Sequence, residues 1–485
     1  MGKIVIMILG PLIFALSLII DPVGGLTDSS QAVLGATIWI ALWWVTEVIP
    51  IPVTSLLPIV LFPLTGIMDV KSTTINYGND IVFLYLGGFL IAIAIEKWNL
   101  HRRIALTILL WMGNRLSHIV LGFMLSTALL SMWISNTATS VMMLPIGLAI
   151  AAQFEKNQAG SVAQKNNFGM VLMFGIAYGA SIGGLATLIG TPPNLVLVAI
   201  VSELYGVEIN FLDWFLLMLP LSMLLLFVCW FYLIQVFGVK NKRLSGGGYT
   251  IKEELDKLGK IGYEEKLVAG IFLLTALGWI TKSFLLEKYF SGINDTVIAV
   301  IGGLLMFIVP GRKKIPLMEW KDAIKIPWGI ILLFGGGLAL AEGFKESGLT
   351  MWVGSNFTLL EGASLILVIL FLVGAINFLT ELTSNLATTT IILPILAALA
   401  TSMEIHPYGI MIGATLSASC AFMLPVATPP NAVVFSSGFF TIRDMAKTGF
   451  VLNIISILLI TLFIYYVMPL VWGIDLFDLP EAFRK

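Results

Sequence analysis

Two short polar motifs, each present twice, carry the chemistry that this sequence could perform. Residues 135–146 read SNTATSVMMLPI and recur at 384–395 as SNLATTTIILPI, with seven of the twelve positions identical. A Thr-Pro-Pro-Asn motif at 191–194 recurs at 428–431. Hydroxyl oxygens, and carbonyls that paired prolines free from helical bonding, are hard ligands suited to a small hard cation. Helix N-termini at the same breaks offer N–H donors to an anion.

Both motif pairs occur in the same order along the chain, which indicates an internal repeat. Each copy of the first motif lies in the middle of an apolar stretch, 119–153 and 367–402, that is too long for one membrane crossing. We predict that each stretch is a re-entrant hairpin with its motif at the tip. An odd number of predicted crossings separates the hairpins, so the second copy enters from the opposite face. Inverted repeats of this kind are common in secondary transporters, although internal repeats also occur in channels.

The composition identifies lipid as the solvent of this chain. Of its 485 residues, 58% are hydrophobic and 11% are charged, against about 45–50% and about 25% in soluble domains. The net charge of −1 argues against a nucleic-acid partner. The sequence has no HExxH, CxxC, GxSxG or Walker motif and no catalytic dyad, so it does not predict an enzyme. Cys229 and Cys420 lie in apolar stretches and are expected to be buried thiols.

The predicted fold is an all-α integral membrane protein with about 11 transmembrane helices besides the two hairpins, since a crossing needs about 20 apolar residues. The polar loop 239–266 is expected to be a solvated connector with a short charged helix at 251–266. The predicted crossings are 4–20, 31–48, 52–68, 80–97, 167–205, 212–238, 267–286, 294–310, 327–348, 405–440 and 449–472.

Basic residues predict the orientation, because lysine and arginine concentrate in cytoplasmic loops. We predict a multi-pass plasma (inner) membrane protein with a cytoplasmic N-terminus and an extracytoplasmic C-terminus. The bias is present only if both long stretches are hairpins, which supports that interpretation. The basic residues placed in the cytoplasm are Arg102, Arg103, Arg115, Lys156, Lys165, Lys240, Lys242, Arg243, Lys252, Lys257, Lys260, Lys266, Arg312, Lys313, Lys314, Arg443 and Lys447.

The stretches that carry the motifs contain no lysine or arginine at 119–153, 167–205, 367–402 or 405–440. An anion bound among them has no fixed positive partner, and burial of an unpaired charge is costly. Cations bound beside the anion would balance its charge. If the substrate is an anion, this absence favours obligatory coupling to a cation such as sodium.

Three carboxylates lie at predicted membrane depth, where an ionisable residue is a functional candidate by default. They are Glu47, Glu342 and Glu381. For Glu47 and Glu381, which lie close to the proline-rich and hairpin motifs, we favour a structural role in capping or hydrogen-bonding over proton coupling. Glu203 is expected near the outer surface.

The motifs resemble those of the divalent-anion/sodium symporter family, which includes sodium–dicarboxylate and sodium–citrate cotransporters. The paired Ser-Asn-Thr type tips are that family's hallmark. The WWVTE stretch at 43–47 with Pro50 also looks like the family's early segment, and the similarity runs from residue 30 to residue 470. Matches to its sequence signature are Ser419, Phe422, Pro425, Val426, Ala427, Asn431, Val433 and Val434.

The resemblance implies a homodimer in which each protomer has a scaffold and a transport domain that moves like an elevator. Scaffold helices would be 1–118 in the first repeat and 267–350 in the second. Transport elements would be 119–238 and 351–485, each comprising a hairpin, a broken helix and the helix after it. The cytoplasmic loop 239–266 would join the two repeats.

The resemblance also implies the ligands of two co-transported sodium ions and of the substrate. The first sodium site would use Ser131, Ser135 and Asn136 with backbone near Gly184. The second would use Thr380, Thr383 and Asn385 with backbone near Ala427. The substrate carboxylates would meet Ser135, Asn136, Thr137, Ser384 and Asn385, with Thr428 and Pro429 closing the site.

One position departs from the paired pattern, because Leu386 stands where the first copy has Thr137. Leu386 offers no hydroxyl to a carboxylate, so this departure bears on which substrate is preferred. The family also includes sodium-independent exchangers that have basic residues at the sodium sites. This sequence has no lysine or arginine there, which favours a symporter.

The function predicted from the sequence is therefore sodium-coupled uptake of a C4 dicarboxylate such as succinate, malate or fumarate. Three alternatives stay open: a sodium-independent dicarboxylate exchanger, a sodium-coupled citrate or sulfate carrier, and a channel built on the same repeat.

Overall fold

Within the part of the chain that the computed structural model describes, the protein is all helical and contains no strand. The described residues are 2–22, 24–157, 162–239, 247–312, 314–356 and 363–484. The first half contains α1 (Gly2–Ile19), α2 (Asp28–Thr46), α3 (Ile51–Thr54), α4 (Leu57–Thr65), α5 (Val70–Ile75), α6 (Asp80–Lys97), α7 (Leu100–Trp111), α8 (Leu116–Ser131), α9 (Asn136–Asn157), α10 (Val162–Gly184), α11 (Pro192–Tyr205) and α12 (Phe211–Val236).

The second half begins with a connector helix and then repeats the plan of the first. Its helices are α13 (Gly247–Lys257), α14 (Tyr263–Thr281), α15 (Asp295–Ile308), α16 (Trp320–Ala323), α17 (Trp328–Glu346), α18 (Leu349–Asn356), α19 (Leu365–Thr380), α20 (Asn385–Ser402), α21 (Pro407–Ala418), α22 (Pro429–Phe435), α23 (Ile442–Leu462) and α24 (Met468–Trp472).

Eight helical stretches in the described part of the chain are long and apolar enough to cross a membrane. Length and composition therefore agree with the prediction of an all-helical, multi-pass membrane protein. The predicted number of crossings, about 11, stays a prediction, because the shorter apolar helices do not decide it.

The polar motifs coincide with breaks between helices, as the sequence predicts. One break separates α8 from α9 and another separates α19 from α20, each at a Ser-Asn motif. The predicted crossings 167–205 and 405–440 are each two helices, interrupted before their Thr-Pro-Pro-Asn motifs. Proline at the first helical position explains the restart, because its missing N–H is not needed there.

Four helices were not predicted, namely α5, α7, α16 and α18, and two of them, α7 and α18, directly precede a hairpin. Short α7 carries Arg102 and Arg103 in its first turn, and α18 is shorter still. Neither stretch is long and apolar enough to suggest a crossing, so hydropathy alone passes over them. Their matching positions extend the internal repeat beyond the motifs.

The prediction of a charged helix at 251–266 is wrong in its bounds. The connector helix α13 ends at Lys257, and Gly259 then takes a left-handed conformation with φ +67°. A new helix, α14, starts at Tyr263, where Glu265 accepts a hydrogen bond from the backbone N–H of Gly262. The basic residues Lys240, Lys242, Arg243 and Lys313 lie outside the described residues.

The helices of the two repeats interlock around the breaks. Helix α10 packs against both arms of the first hairpin, and α21 packs against both arms of the second. Helix α22 from the second repeat packs against α9 and α10, and α11 from the first packs against α20 and α21. The four breaks are thereby brought into one region.

Glycine permits the close crossing of α8 and α10. A Cβ atom added at Gly183 would lie 2.3 Å from the carbonyl oxygen of Ala128 and 2.4 Å from its Cα. Backbone atoms of a packed helix cannot move aside as a flexible side chain can. Small residues at such crossings let helices in membranes approach closely.

We expect Gly183→Ala to lower the thermal stability of the detergent-solubilised protein by several degrees. Overpacking a tight core contact costs about 1–3 kcal/mol. The matched control is Gly270→Ala in α14, where an added Cβ meets nothing within 4 Å. Equal melting temperatures for the two variants would contradict the packing argument.

Candidate functional site

A cavity of about 940 Å³ lies where the four breaks meet. Both hairpin tips and both Thr-Pro-Pro-Asn motifs contribute to its wall. The rest of the described wall is formed by the end of α2, the start of α3, two aromatic residues of α6 and the start of α17. Val426 and Leu382 in the wall are 79% and 72% exposed, so the cavity is open to its surroundings.

The first hairpin tip gathers oxygen atoms behind the cavity wall. The Ser131 hydroxyl is hydrogen-bonded to the side-chain oxygen of Asn136. The same end of the Asn136 amide lies 3.3 Å from the carbonyl oxygen of Ala180 and 3.2 Å from that of Gly190. With its oxygen facing these atoms, the amide completes a cluster made only of oxygens; turned round, its nitrogen would donate to them. The all-oxygen arrangement would suit the coordination of a small hard cation.

The second tip builds a similar cluster from equivalent residues. The Thr380 hydroxyl lies 2.6 Å from the side-chain oxygen of Asn385 and 3.1 Å from the carbonyl oxygen of Ala418. The Thr380 hydroxyl has only one proton to share between these two acceptors. The second cluster therefore also contains more oxygen atoms than hydrogen-bond donors. The Thr383 hydroxyl is 2.6 Å from that of Thr388, so a cation bound by Thr383 would replace that contact.

The asparagines of the Thr-Pro-Pro-Asn motifs brace the broken backbone. The amide nitrogen of Asn194 lies 3.2 Å from the carbonyl oxygen of Gly184 and 2.8 Å from that of Thr187. In the second repeat, the Asn431 amide lies 3.1 Å from the carbonyl oxygen of Ala421 and 3.0 Å from that of Leu424. Both side chains are fully buried. The motif pointed to these positions, but their bracing role emerges only from the structure.

The electrostatic character of the cavity comes from backbone rather than from basic side chains. The helices α9, α11 and α20 all begin at residues that line it. Each N-terminus carries about half a positive charge and free N–H groups. The described lining contains no lysine or arginine, and its one carboxylate is that of Glu47. An anion that enters is therefore met by helix ends and hydroxyls.

Glu381 is a buried structural anchor. One of its oxygens accepts hydrogen bonds from the backbone N–H groups of Phe422 and Met423, at 2.8 and 2.9 Å, and from the amide of Asn453 at 2.7 Å. The other accepts from the N–H of Leu424 at 3.0 Å. The carboxylate thus accepts hydrogen bonds from the backbone N–H groups of the non-helical segment that follows α21. The predicted structural role is confirmed for Glu381.

The other carboxylates differ from one another. Glu342 accepts a hydrogen bond from the amide of Asn76, and Glu203 accepts one from Asn79 at 3.5 Å. The side chain of Glu47 is exposed and makes no hydrogen bond or ion pair within the described part of the chain. Glu47 is the C-cap residue of α2, but the predicted hydrogen-bonding role of its side chain has no counterpart among the described residues.

The residues predicted to form the site fall into two layers. Ser131, Thr380 and Gly184 are fully buried behind the tips. Sequence reasoning missed Ser181, which lines the cavity and whose hydroxyl has no hydrogen-bond partner among the described residues. The predicted residues that line the cavity are Ser135, Asn136, Thr137, Thr383, Ser384, Asn385, Ala427, Thr428 and Pro429, and Leu386 lies among them.

The sequence of this chain matches the family described as the sodium:sulfate symporter transmembrane region over residues 3–473. The chain belongs to this family. The resemblance drawn from the motifs is therefore confirmed. Members of the sodium:sulfate symporter family are transporters, and this chain is a multi-pass membrane transporter rather than an enzyme.

Similar proteins with curated descriptions include two staphylococcal members of the family. The sodium-dependent dicarboxylate transporter SdcS of Staphylococcus aureus (strain USA300) is 47% identical over 483 residues, covering 98% of this chain and 93% of that protein. The transporter of the same name from Staphylococcus saprophyticus is 44% identical over 482 residues, with the same coverage.

Two solved structures share the fold at low sequence identity. MtrF of Neisseria gonorrhoeae, described as one of a class of antimetabolite efflux pumps, gives a TM-score of 0.58 at 12% identity and covers 95% of both chains. The YdaH transporter of Alcanivorax borkumensis gives 0.54 at 11% identity, covering 97% of this chain and 98% of that one. The fold is therefore that of known membrane transporters.

We expect Glu381→Gln to lower the melting temperature of the solubilised protein. A glutamine places an NH2 group among four donors, and each buried donor left without an acceptor costs about 1–3 kcal/mol. Glu346→Gln, at the exposed end of α17, serves as the control. A melting temperature for the Glu381 variant equal to that of the control would show that the hydrogen bonds contribute little.

Proposed function

We propose that this protein is a symporter that couples inward sodium movement to uptake of a C4 dicarboxylate such as succinate, malate or fumarate. The observation that carries the proposal is the cavity between the hairpin tips, whose described wall offers helix N-termini and hydroxyls but no basic side chain. A dianion there needs positive partners, and cations in the oxygen clusters behind the tips would supply them. The family membership and the names of the staphylococcal relatives support the same assignment.

We propose one sodium site at each of the two oxygen clusters, with the substrate bound by the two hairpin tips. The first uses Ser131, Ser135 and Asn136. The backbone at Gly184 lies beside Asn136, but the carbonyl of Gly190 is also within 3.2 Å of that amide and is the better candidate ligand. The second site uses Thr380, Thr383 and Asn385 with backbone at Ala427. The substrate contacts are Ser135, Asn136, Thr137, Ser384, Asn385, Thr428 and Pro429.

The alternatives differ in the charge that they require. A sodium-independent exchanger needs fixed basic residues to replace the cations, and the described cavity wall has none. A sodium-coupled citrate or sulfate carrier would keep both cation clusters and differ only in the substrate pocket, where Leu386 replaces a hydroxyl with an apolar side chain. Competition by a panel of acids distinguishes these carriers.

We further propose that transport is an elevator movement within a homodimer. The moving body would contain both hairpins, the broken helices and the helices after them, in segments 119–238 and 351–485. The scaffold would contain 1–118 and 267–350, with 239–266 as a cytoplasmic connector. If the N-terminus is cytoplasmic, the end of α2 and the start of α17 lie on the cytoplasmic side, so the cavity that they line opens inward.

We expect Asn136→Ala and Asn385→Ala each to abolish sodium-dependent succinate uptake into proteoliposomes. Each change removes an oxygen from a cation cluster and a donor at a hairpin tip. Uptake is measured with sodium on one side and unlabelled succinate, citrate or sulfate as competitor.

The matched control is Asn114→Ala, because Asn114 is exposed and does not line the cavity. Melting temperatures establish that the inactive variants are folded. Normal sodium-dependent uptake by either tip variant would refute its assignment to a cation site, and rapid wild-type uptake without sodium would refute the symport proposal.

The elevator proposal predicts that a crosslink between α17 and α20 stops transport. A Cβ placed on Gly337 lies 3.5 Å from the Cβ of Thr390, within the range of about 3.5–4.5 Å found in disulfides. We expect Gly337→Cys with Thr390→Cys to lose uptake on oxidation and to regain it on reduction. The native cysteines Cys229 and Cys420 are buried, so we expect neither of them to form a crosslink on oxidation.

The control pair is Gly303→Cys with Leu90→Cys, which joins two helices of the proposed scaffold. A Cβ on Gly303 lies 3.2 Å from that of Leu90, slightly closer than the disulfide range, so the crosslink requires a small outward shift. Crosslinking this pair should leave uptake unchanged. Full uptake by the α17–α20 pair, with the crosslink verified by mass spectrometry, would contradict a sliding transport domain.

A further inference from the structure

Glu47 stands where two local preferences oppose a glutamate. It caps the C-terminus of α2 in a left-handed backbone conformation, with φ 46° and ψ 39°. Glycine and asparagine are the residues that normally adopt this conformation at a helix end. A carboxylate is also unfavourable beside the negative end of the helix dipole. Residues that break local rules are candidates for a function that offsets the cost.

No contact among the described residues accounts for the choice of glutamate at this position. The side chain is exposed, and it makes no ion pair or hydrogen bond with any described residue. Glu381 and Glu342 differ in this respect, since each accepts hydrogen bonds from neighbouring helices or turns. What Glu47 does share with the functional residues is its place in the cavity wall.

The charge of Glu47 gives the cavity wall parts of opposite sign. The N-termini of α9, α11 and α20 attract an anion. Glu47 and the C-terminal end of α2, which line the same cavity, attract a cation and repel an anion. A sphere with the volume of the cavity is about 12 Å across, comparable with the Debye length of about 8 Å at physiological ionic strength. The field of Glu47 therefore extends across most of the cavity.

We propose that Glu47 is a specificity-determining residue that makes this face of the cavity unfavourable for a dicarboxylate without its sodium ions. The inference rests on the proposed symport function and on the cytoplasmic opening of the cavity. A dicarboxylate that has lost its sodium ions is repelled by Glu47, while sodium is attracted to the same wall. Glu47 thus favours release of substrate into the cytoplasm over its return, and it weakens binding from that side. The inference also rests on the proposed elevator movement, which would place other parts of the scaffold around a cavity that opens outward, so the outer face should be unaffected.

The test compares the two faces of the membrane in inside-out and right-side-out vesicles. For Glu47→Gln, we expect the KM for succinate at the cytoplasmic face to fall about three- to tenfold, as expected for removing one charge that repels two at this range. The KM at the outer face should stay unchanged. Glu47→Asp keeps the charge and should resemble the wild type.

Two further variants separate the effect of the charge from the effects of the backbone conformation and of the position in the protein. Glu47→Asn removes the charge but suits the left-handed conformation, so it should reproduce the effect of glutamine even if the glutamine variant folds poorly. Glu404→Gln is the matched control, because Glu404 is also exposed and left-handed, with φ 52°, but does not line the cavity.

The results distinguish this inference from the function on which it rests. An unchanged KM at the cytoplasmic face, or an equal shift at both faces, would overturn the role of Glu47 while wild-type uptake stayed sodium-dependent. The same shift in the Glu404 variant would also overturn it. Absence of sodium-dependent uptake by the wild type would instead reject the proposed function.

Discussion

A chain that interrupts its helices in an apolar environment must supply a partner for each backbone group that it frees. Most of what surrounds the cavity in this protein meets that requirement. The amides of Asn194 and Asn431 bond to the carbonyls of the broken segments, and the carboxylate of Glu381 accepts from three successive N–H groups. The two broken segments thus satisfy their own backbone groups with buried side chains, and the helix N-termini that line the cavity are left to meet a ligand.

This division explains why the site needs few charged residues. In the proposed symporter, the buried layer, with Ser131 and Thr380, would supply oxygen to cations, and the exposed layer would supply helix N-termini and hydroxyls to an anion. Each layer alone would concentrate charge of one sign. Together they suit a neutral combination of anion and cations, which low-dielectric surroundings tolerate far better than a bare ion. The coupling between the anion and the cations would therefore be electrostatic in origin.

Sequence reasoning found the breaks because proline pairs and Ser-Asn motifs are conspicuous within apolar stretches. It missed what depends on partners remote in sequence. Asn453, which binds Glu381 across 72 positions, carries no local signal. Ser181 lies in an unremarkable helical stretch, and the carbonyls of Ala180 and Gly190 have no side-chain signature at all. The short helices α7 and α18 were missed because hydropathy detects crossings and not helices that fall short of one.

The exchange of elements between the repeats has a consequence for how the protein is made. Helix α22 covers α9 and α10, and α11 covers α20 and α21, so each half buries surface that belongs to the other. The first half of the chain is synthesised before the second, so these faces stay uncovered in the bilayer until the second half is inserted. Maturation is therefore completed only after synthesis of the C-terminal quarter, and two separately translated halves would acquire the native core only by assembling with each other.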